Sequence, residues 1–154
     1  MKKNLFLVCL FMFGTLASCQ CSSKKSADNA VVNTTETPVP LGDPFILLHD
    51  GVYYAYGTHS NKGIEFYTSD DLLTWKYGGL ALNKEDSWAD RWFWAPEIYF
   101  VNGKFYMYYS ADEHICVAVA DSPTGPFVQD KKEPMIADEK CIDNSLFIDD
   151  NGCL

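Results

Sequence analysis

Residues 50–56 read Asp-Gly-Val-Tyr-Tyr-Ala-Tyr, and residues 102–108 read Asn-Gly-Lys-Phe-Tyr-Met-Tyr. The two stretches lie 52 residues apart, and the same step separates Pro44 from Pro96. Each stretch begins with an Asx-Gly turn pair and continues into a run rich in aromatic residues, which is typical of a β-hairpin. A repeat of about 50 residues filled with short strands predicts the blades of a β-propeller, each with about four strands.

The chain after residue 40 follows this pattern to its end. No stretch there has the 3.6-residue period of a helix, so an all-β fold is expected. A third copy begins at Asp143, and the chain stops at Leu154 just past the turn of that copy. This predicts two blades and the start of a third in a truncated chain. The longest connection, residues 80–92, is expected to shape a binding site.

The predicted strands are residues 44–48, 52–57, 63–68 and 74–77 in the first copy, and 97–101, 104–110, 115–120 and 126–129 in the second.

The N-terminal residues have the composition of a leader. Lys2 and Lys3 precede an apolar run over residues 5–13, which is too short to cross a hydrocarbon core of about 30 Å as a helix. Residues 16–19, Leu-Ala-Ser-Cys, look like a bacterial lipobox, in which cleavage precedes the Cys and the Cys takes a lipid. We therefore expect a lipoprotein anchored to a membrane through Cys19; an ordinary signal peptide with an incidental Cys19 is the alternative.

The sequence thus divides into three parts. Residues 1–18 are predicted to be a signal peptide, residues 19–40 a lipidated Cys with a polar, flexible tether, and residues 41–154 a partial propeller domain. This organisation places the protein at the bacterial cell envelope, either periplasmic or on the outer membrane. The formal net charge is −9 and no basic cluster follows residue 40, which argues against a nucleic-acid partner.

The remaining cysteines give no metal pattern. Their spacing matches no zinc site. Cys116 lies in an apolar run and is expected to be a small buried residue. An envelope location permits disulfides, and the sequence leaves a Cys116–Cys141 bridge open.

Two aspartates hold the same place in their copies. Asp43 and Asp143 stand at the head of the first strand, and the first strand of each propeller blade lines the central channel. Two carboxylates from different blades would therefore converge, as glycoside hydrolysis requires of an acid and a base. Either aspartate alone would be interpreted as a turn residue that binds local backbone N–H groups. Their matched placement favours a functional interpretation.

At this point the chain resembles glycoside hydrolase family 43, the five-bladed propeller enzymes of arabinan and xylan breakdown. The matching stretches occur in the order of the family and extend over most of residues 41–154. They are Gly-Asp-Pro-Phe at 42–45, Thr-Ser-Asp-Asp-Leu-Leu-Thr-Trp at 68–75, Trp-Ala-Pro-Glu at 94–97, Ser-Pro-Thr-Gly-Pro-Phe at 122–127 and Ile-Asp-Asn-Ser-Leu-Phe at 142–147.

The resemblance implies roles for individual residues. Asp43 matches the general base that activates water, and Asp143 matches the aspartate that raises the pKa of the acid. The family's general acid is a Glu of a later blade, for which the chain offers no candidate after Asp143. Glu97 stands in the wrong blade and matches a non-catalytic position. Asn144 replaces the usual Pro and is assigned to substrate binding.

Aromatic residues and a histidine complete the predicted substrate site. Trp94 is the candidate platform for a sugar ring, with packing between blades as an equal alternative. His59 is assigned to substrate binding, although a His in this setting is more often a structural hydrogen-bonding residue. Trp88, Trp92 and Phe93 could line outer subsites, but packing within the loop is the simpler interpretation for them.

These expectations describe an inverting glycosidase that acts on arabinose- or xylose-containing polymers or oligosaccharides. The present chain, which lacks the general acid, is expected to be inactive by itself. A non-catalytic carbohydrate-binding lipoprotein on the same fold is the first alternative. A retaining relative, as among fructan-cleaving propellers, is the second, although Gly-Asp-Pro-Phe differs from the usual start of those enzymes. No cofactor motif is evident; the resemblance adds a channel cation, calcium, which family members often hold through a His of a later blade.

Overall fold

Two antiparallel β-sheets follow one another along the chain in the computed structural model, which describes residues 38–147 and residue 149. The first sheet has the strand order β1-β2-β3-β4 and the second the order β5-β6-β7. Because every strand pairs with its neighbour in sequence, each sheet is a meander like a propeller blade. The predicted all-β fold is confirmed. The strands are β1 Gly42–His49, β2 Val52–Thr58, β3 Gly63–Ser69, β4 Lys76–Asn83, β5 Trp94–Val101, β6 Lys104–Ala111 and β7 His114–Ala120.

The two Asx-Gly pairs form equivalent hairpin turns. Asp50 and Gly51 have φ values of 48° and 79°, and Asn102 and Gly103 have φ values of 50° and 78°. Positive φ at both central residues is what a type I′ turn requires, and this turn matches the twist of the flanking strands. The 52-residue repeat of the sequence is therefore also a repeat of backbone conformation.

The structure corrects both predicted boundaries of the fourth strand in the first blade. The fourth strand begins at Lys76 instead of residue 74, because the Asp71 carboxylate accepts the N–H groups of Leu73 and Thr74 and holds residues 71–74 in a turn. The same strand continues to Asn83 and is followed by a 3-10 helix, Lys84–Asp86. Much of the expected connection at residues 80–92 is therefore regular structure.

The predicted fourth strand of the second copy, residues 126–129, is reduced to two isolated bridges. Phe127 forms a parallel bridge with Leu82 of the first sheet, and Val128 forms an antiparallel bridge with Val119 of the second. Phe127 is completely buried and its N–H donates to the carbonyl of Ala81 at 2.8 Å. The segment joins the two sheets instead of extending one, which explains why its pairing is short.

The core lies where the two sheets meet. Strand β5 packs against β1 and β2, so the first strands of the two blades are neighbours. Across this junction, the ring of His49 lies 4.9 Å from that of Phe100 and 4.9 Å from that of Phe105. Buried side chains from both sheets form one hydrophobic cluster; its members include Tyr56, Ile64, Phe66, Leu82, Ile98, Phe105, Met107, Tyr109 and Phe127.

A buried polar network fixes the connection before β5. The hydroxyl of Tyr109 lies 2.7 Å from the Ser87 hydroxyl and donates to Oε1 of Gln129 at 3.0 Å. The same Oε1 accepts the N–H of Trp88 at 2.8 Å. Buried polar groups need such partners. The connection is consequently held to the second sheet by specific hydrogen bonds.

Several predictions fall on residues that are not described. The signal peptide, Cys19 and nearly all of the tether lie outside residues 38–147 and 149, as does most of the third hairpin. Cys116 is buried, as predicted, and both Cys116 and Cys141 are free thiols, so the bridge that the sequence left open is not formed. Within the described ranges, no helix has the length and apolar character needed to cross a membrane.

Candidate active site

Both first strands have a β-bulge at their N-terminal ends. The register of β1 shifts at residues 43–44 and that of β5 at residues 95–96. Asp43 and Ala95 have φ values of 44° and 41°, and Asp143, the matching residue of the third copy, has a φ of 60°. Bulges re-aim side chains, and left-handed backbone at residues other than Gly costs energy that the surroundings must supply. The same strained conformation is thus built three times.

The three strained positions line one cleft. Its volume is about 180 Å³. Asp43 and Asp143 therefore come together although 100 positions of sequence separate them, and the small side chain of Ala95 also faces this space. The lining residues are Asp43, Pro44, Phe45, Ala95, Pro96, Glu97, Asp143 and Asn144.

Two hydroxyl groups that the sequence pattern does not predict contact these three residues with positive φ. Thr58 Oγ1 donates to Oδ2 of Asp43 at 3.1 Å and accepts the N–H of Ala95 at 3.0 Å. Ser110 Oγ accepts the N–H of Asp143 at 3.1 Å. Thr58 and Ser110 are 52 residues apart, so the repeat itself was the signal that could have found them.

Glu97, which the family resemblance assigns to a non-catalytic position, also lines the cleft. The hydroxyl of Tyr99 donates to Oε2 of Glu97 at 2.5 Å and accepts the N–H of Leu146 at 3.4 Å. Burial, followed by the hydrogen bond to Glu97, raises the pKa of Tyr99, so its phenol stays protonated and remains a donor. Glu97 thereby helps to hold the segment that carries Asp143.

Asn144 is the least satisfied polar group of the cleft. Its side-chain nitrogen and oxygen are both buried and have no hydrogen-bond partner among the described residues. An unpaired buried amide costs free energy, about 1–3 kcal/mol for each group. A ligand or water that reached this amide would form the hydrogen bonds that no described residue supplies.

His59 and Trp94, the other predicted substrate contacts, do not line the cleft. His59 Nδ1 lies 2.6 Å from Oε2 of Glu65, within the first blade. Trp94 stacks on Trp92, with ring centroids 5.8 Å apart and planes 10° from parallel. The Arg91 guanidinium lies 4.3 Å from the centroid of the Trp92 ring. Contact of His59 and Trp94 with a sugar stays a prediction.

Two of the three other aromatic candidates pack within the protein. Phe93 is buried in the core, and the ring of Trp88 meets that of His114 edge-on at 5.1 Å. Trp92 differs, because 41% of its surface is exposed. Trp92 is therefore the most exposed of these three residues.

Comparison with known proteins places the chain in a family. The sequence profile of Glycosyl hydrolases family 43 matches residues 35–154. The chain belongs to this family. Xylosidase/arabinosidase 43A of Humicola insolens, a family relative, is 40% identical over 140 residues, which cover 75% of this chain and 42% of that protein.

Solved structures extend the comparison to the fold. An endo-1,4-beta-xylanase from Bacteroides thetaiotaomicron VPI-5482 has 49% identity and a TM-score of 0.70, and the match covers 74% of this chain and 40% of that one. An endo-arabinase from the same organism has 34% identity and a TM-score of 0.64, covering 74% and 43%. The chain thus spans less than half the length of these relatives. Its two sheets are blades of the five-bladed β-propeller of family 43.

The family-43 motifs now have structural places. Asp43-Pro44 and Ala95-Pro96 form the two bulges at the cleft. The Ser-Asp-Asp-Leu-Leu-Thr-Trp stretch is the turn that Asp71 organises on the other side of the first blade. Residues 122–127 join the two blades through Phe127. The motifs therefore have three places: the cleft, a turn of the first blade away from the cleft, and the link between the blades.

The family also implies a channel cation. Among residues 38–147 and 149, no group of three or more His, Cys, Asp or Glu side chains is placed to hold a metal ion. The described residues do not form such a site by themselves, and no chemical step below uses a metal.

Proposed function

We propose that the protein is a glycoside hydrolase that cleaves arabinose- or xylose-containing polysaccharides or oligosaccharides with inversion at the anomeric carbon. The observation that carries the proposal is the meeting of Asp43 and Asp143 in one cleft. The similarity to a xylosidase/arabinosidase, a xylanase and an arabinase supports a pentose substrate.

In this mechanism Asp43 is the general base. Thr58 occupies Oδ2 of Asp43, which leaves the other carboxylate oxygen to accept a proton from water. The water oxygen attacks the anomeric carbon while the bond to the leaving oxygen breaks, and a protonated Glu gives its proton to that oxygen. Asp143 acts as a neighbouring negative charge that disfavours ionisation of the acid. We propose that this Glu comes from outside residues 41–154, so that the present chain alone does not hydrolyse.

The test measures hydrolysis of aryl α-L-arabinofuranosides and β-D-xylosides by the whole protein. Asp43→Asn should lower kcat/KM about 10²- to 10⁴-fold, the range of general base catalysis, and Asp143→Asn should move the alkaline limb of the pH profile. Asp70→Asn, at an exposed aspartate away from the cleft, is the matched control. Product anomers followed by NMR distinguish inversion from retention. Full activity in Asp43→Asn would refute the assignment.

A carbohydrate-binding protein without catalysis is the second candidate, favoured by the exposed stack of Trp92 on Trp94. Aromatic faces bind sugar rings without any need for carboxylates. The whole protein would then bind xylo- or arabino-oligosaccharides and release no sugar, and Trp92→Ala would weaken binding while Asp43→Asn would not.

We also propose that the protein is a lipoprotein of the bacterial envelope, anchored through Cys19. The support is the Leu-Ala-Ser-Cys sequence after a short apolar run. Metabolic labelling with a fatty acid should be lost in Cys19→Ser and kept in Cys21→Ser. Labelling that survives Cys19→Ser would refute the anchor.

A further inference from the structure

The Thr58 hydroxyl connects the two blades at the cleft. Its oxygen accepts the N–H of Ala95 from the second blade at 3.0 Å and donates to the Asp43 carboxylate of the first at 3.1 Å. A hydroxyl has one proton. Because Ala95 supplies a proton to the oxygen, the hydroxyl's own proton remains for Asp43, and the direction of both hydrogen bonds is fixed.

We propose that Thr58 is a positioning residue, which holds the Asp43 carboxylate in the orientation that the hydrolysis needs. This inference rests on the proposed function. Asp43 is exposed, so packing does not hold its side chain. The hydroxyl of Thr58 lies at the end of a strand and accepts a hydrogen bond from the neighbouring bulge. Its own hydrogen bond to Asp43 therefore restrains the carboxylate, which packing does not. Rigid placement matters because a misplacement of about 1 Å can cost about 100-fold in rate.

Ser110 provides the comparison within the chain. It ends its hairpin at the position that matches Thr58, and its hydroxyl accepts the N–H of Asp143, the matching residue of the third copy, at 3.1 Å. In its own blade, however, the residue that matches Asp43 is Ala95, which has no carboxylate. The backbone contact therefore occurs at both blade junctions, and only Thr58 adds a contact to a carboxylate.

The first experiment compares crystal structures of the whole protein and does not depend on activity. In Thr58→Val, which keeps the branched shape and loses the hydroxyl, the Asp43 carboxylate should leave its position or occupy several rotamers. In Thr58→Ser, which keeps the hydroxyl, it should stay. An Asp43 carboxylate that is unmoved and equally well ordered in Thr58→Val would overturn the inference.

The second experiment measures kinetics on the substrate that the wild-type protein hydrolyses. Thr58→Val should lower kcat about 10- to 100-fold with KM changed less than about twofold, and Thr58→Ser should recover most of the loss. Thr124→Val, at an exposed threonine far from the cleft, should match the wild type. Equal loss in Thr58→Val and Thr58→Ser, accompanied by a lower melting temperature, would show a merely structural role. A wild type that hydrolyses no glycoside refutes the proposed function alone, and the orientation of Asp43 in Thr58→Val then decides the inference.

Discussion

The first and second blades present the same backbone to the cleft with different chemistry. Each first strand begins with a bulge, and the bulge residue has a φ of 44° in Asp43 and 41° in Ala95. Each bulge residue also precedes a Pro. The difference is one side chain, a carboxylate in the first blade and a methyl group in the second. The repeat determines where a side chain is delivered, and the residue type at that place determines what it can do.

The small side chain of Ala95 also affects the cleft. Ala95 lies in the cleft together with Asp43 and Asp143. A further acid there, beside Asp43, Glu97 and Asp143, would add like charge and fill space that a sugar ring needs. The second blade therefore contributes room, and through the N–H of Ala95 it contributes the contact that orients Thr58.

Exchanging the two bulge residues is expected to have the largest effect on hydrolysis, and it tests whether the position of the carboxylate matters. Asp43→Ala should lower hydrolysis by the whole protein about 10²- to 10⁴-fold, because the general base is lost. Ala95→Asp should not restore it in the double variant, since the new carboxylate stands on the second blade, whereas the Thr58 hydroxyl accepts the N–H of residue 95 and directs its own proton toward residue 43. Steady-state rates of both single variants and the double variant are the measurement. Recovery of more than a tenth of the activity in the double variant would show that the number of carboxylates matters and their positions do not.

The second prediction compares two glycines with similar φ. Gly125 has a φ of 81° and stands in the segment that links the blades, where an added Cβ would meet the carbonyl oxygen of Ala81 at 2.3 Å. Gly103 has a φ of 78° in its hairpin, with nothing within 4 Å of an added Cβ. Both lie in a region that L-residues rarely adopt.

Gly103→Ala should therefore cost only the backbone term, about 1–2 kcal/mol in the free energy of unfolding. Gly125→Ala should cost that term plus the clash, about 3 kcal/mol or more in total. Urea unfolding followed by tryptophan fluorescence gives both values. Equal losses would mean that the segment around Phe127 can shift to relieve the clash without lowering the free energy of unfolding. The blades would then be joined mainly by side-chain packing.

The sequence predicted the parts of the fold that repeat. The Asx-Gly pairs gave both hairpins because a two-residue turn with positive φ admits few other residues. The match of Asp43 with Asp143 predicted the two residues that the cleft brings together. The length of β4 was not predictable, because its start depends on how the Asp71 carboxylate caps a turn. The bridges of residues 127–128 were missed because their partners lie in two different sheets.

The hydroxyl contacts of Thr58 were missed for a physical reason. Thr58 meets Asp43 and Ala95 at the two bulges, and bulges leave no reliable pattern in a single sequence. Thr58 is also an ordinary strand residue by composition. A comparison of the two copies position by position would have paired it with Ser110, whereas hydrophobic periodicity alone could not.

The smallest expected effect concerns the turns that close each blade's third strand. In the first blade, hydrogen bonds from the backbone N–H groups of Thr74 and Leu73 lower the pKa of the Asp71 carboxyl. At the matching place, the second blade has Ser122, whose uncharged hydroxyl accepts the N–H of Thr124 at 3.3 Å. Because the folded pKa of Asp71 is below its unfolded value, the unfolded state binds more protons as the medium is acidified.

The stability that Asp71 contributes is therefore fully present above the unfolded pKa of about 4 and is lost as the pH falls through the lower folded value. Asp71→Asn should flatten the fall in the urea midpoint between about pH 5 and about pH 2. Asp70→Asn, at the neighbouring exposed aspartate, is the control and should keep the wild-type slope. The change should be small, because the carboxylate is exposed and solvent screens it. If the urea midpoints of Asp71→Asn and of the wild type fall with the same slope as the pH is lowered, the acid sensitivity of the domain originates at other carboxylates. The charge of Asp71 would then add nothing to the stability of its turn.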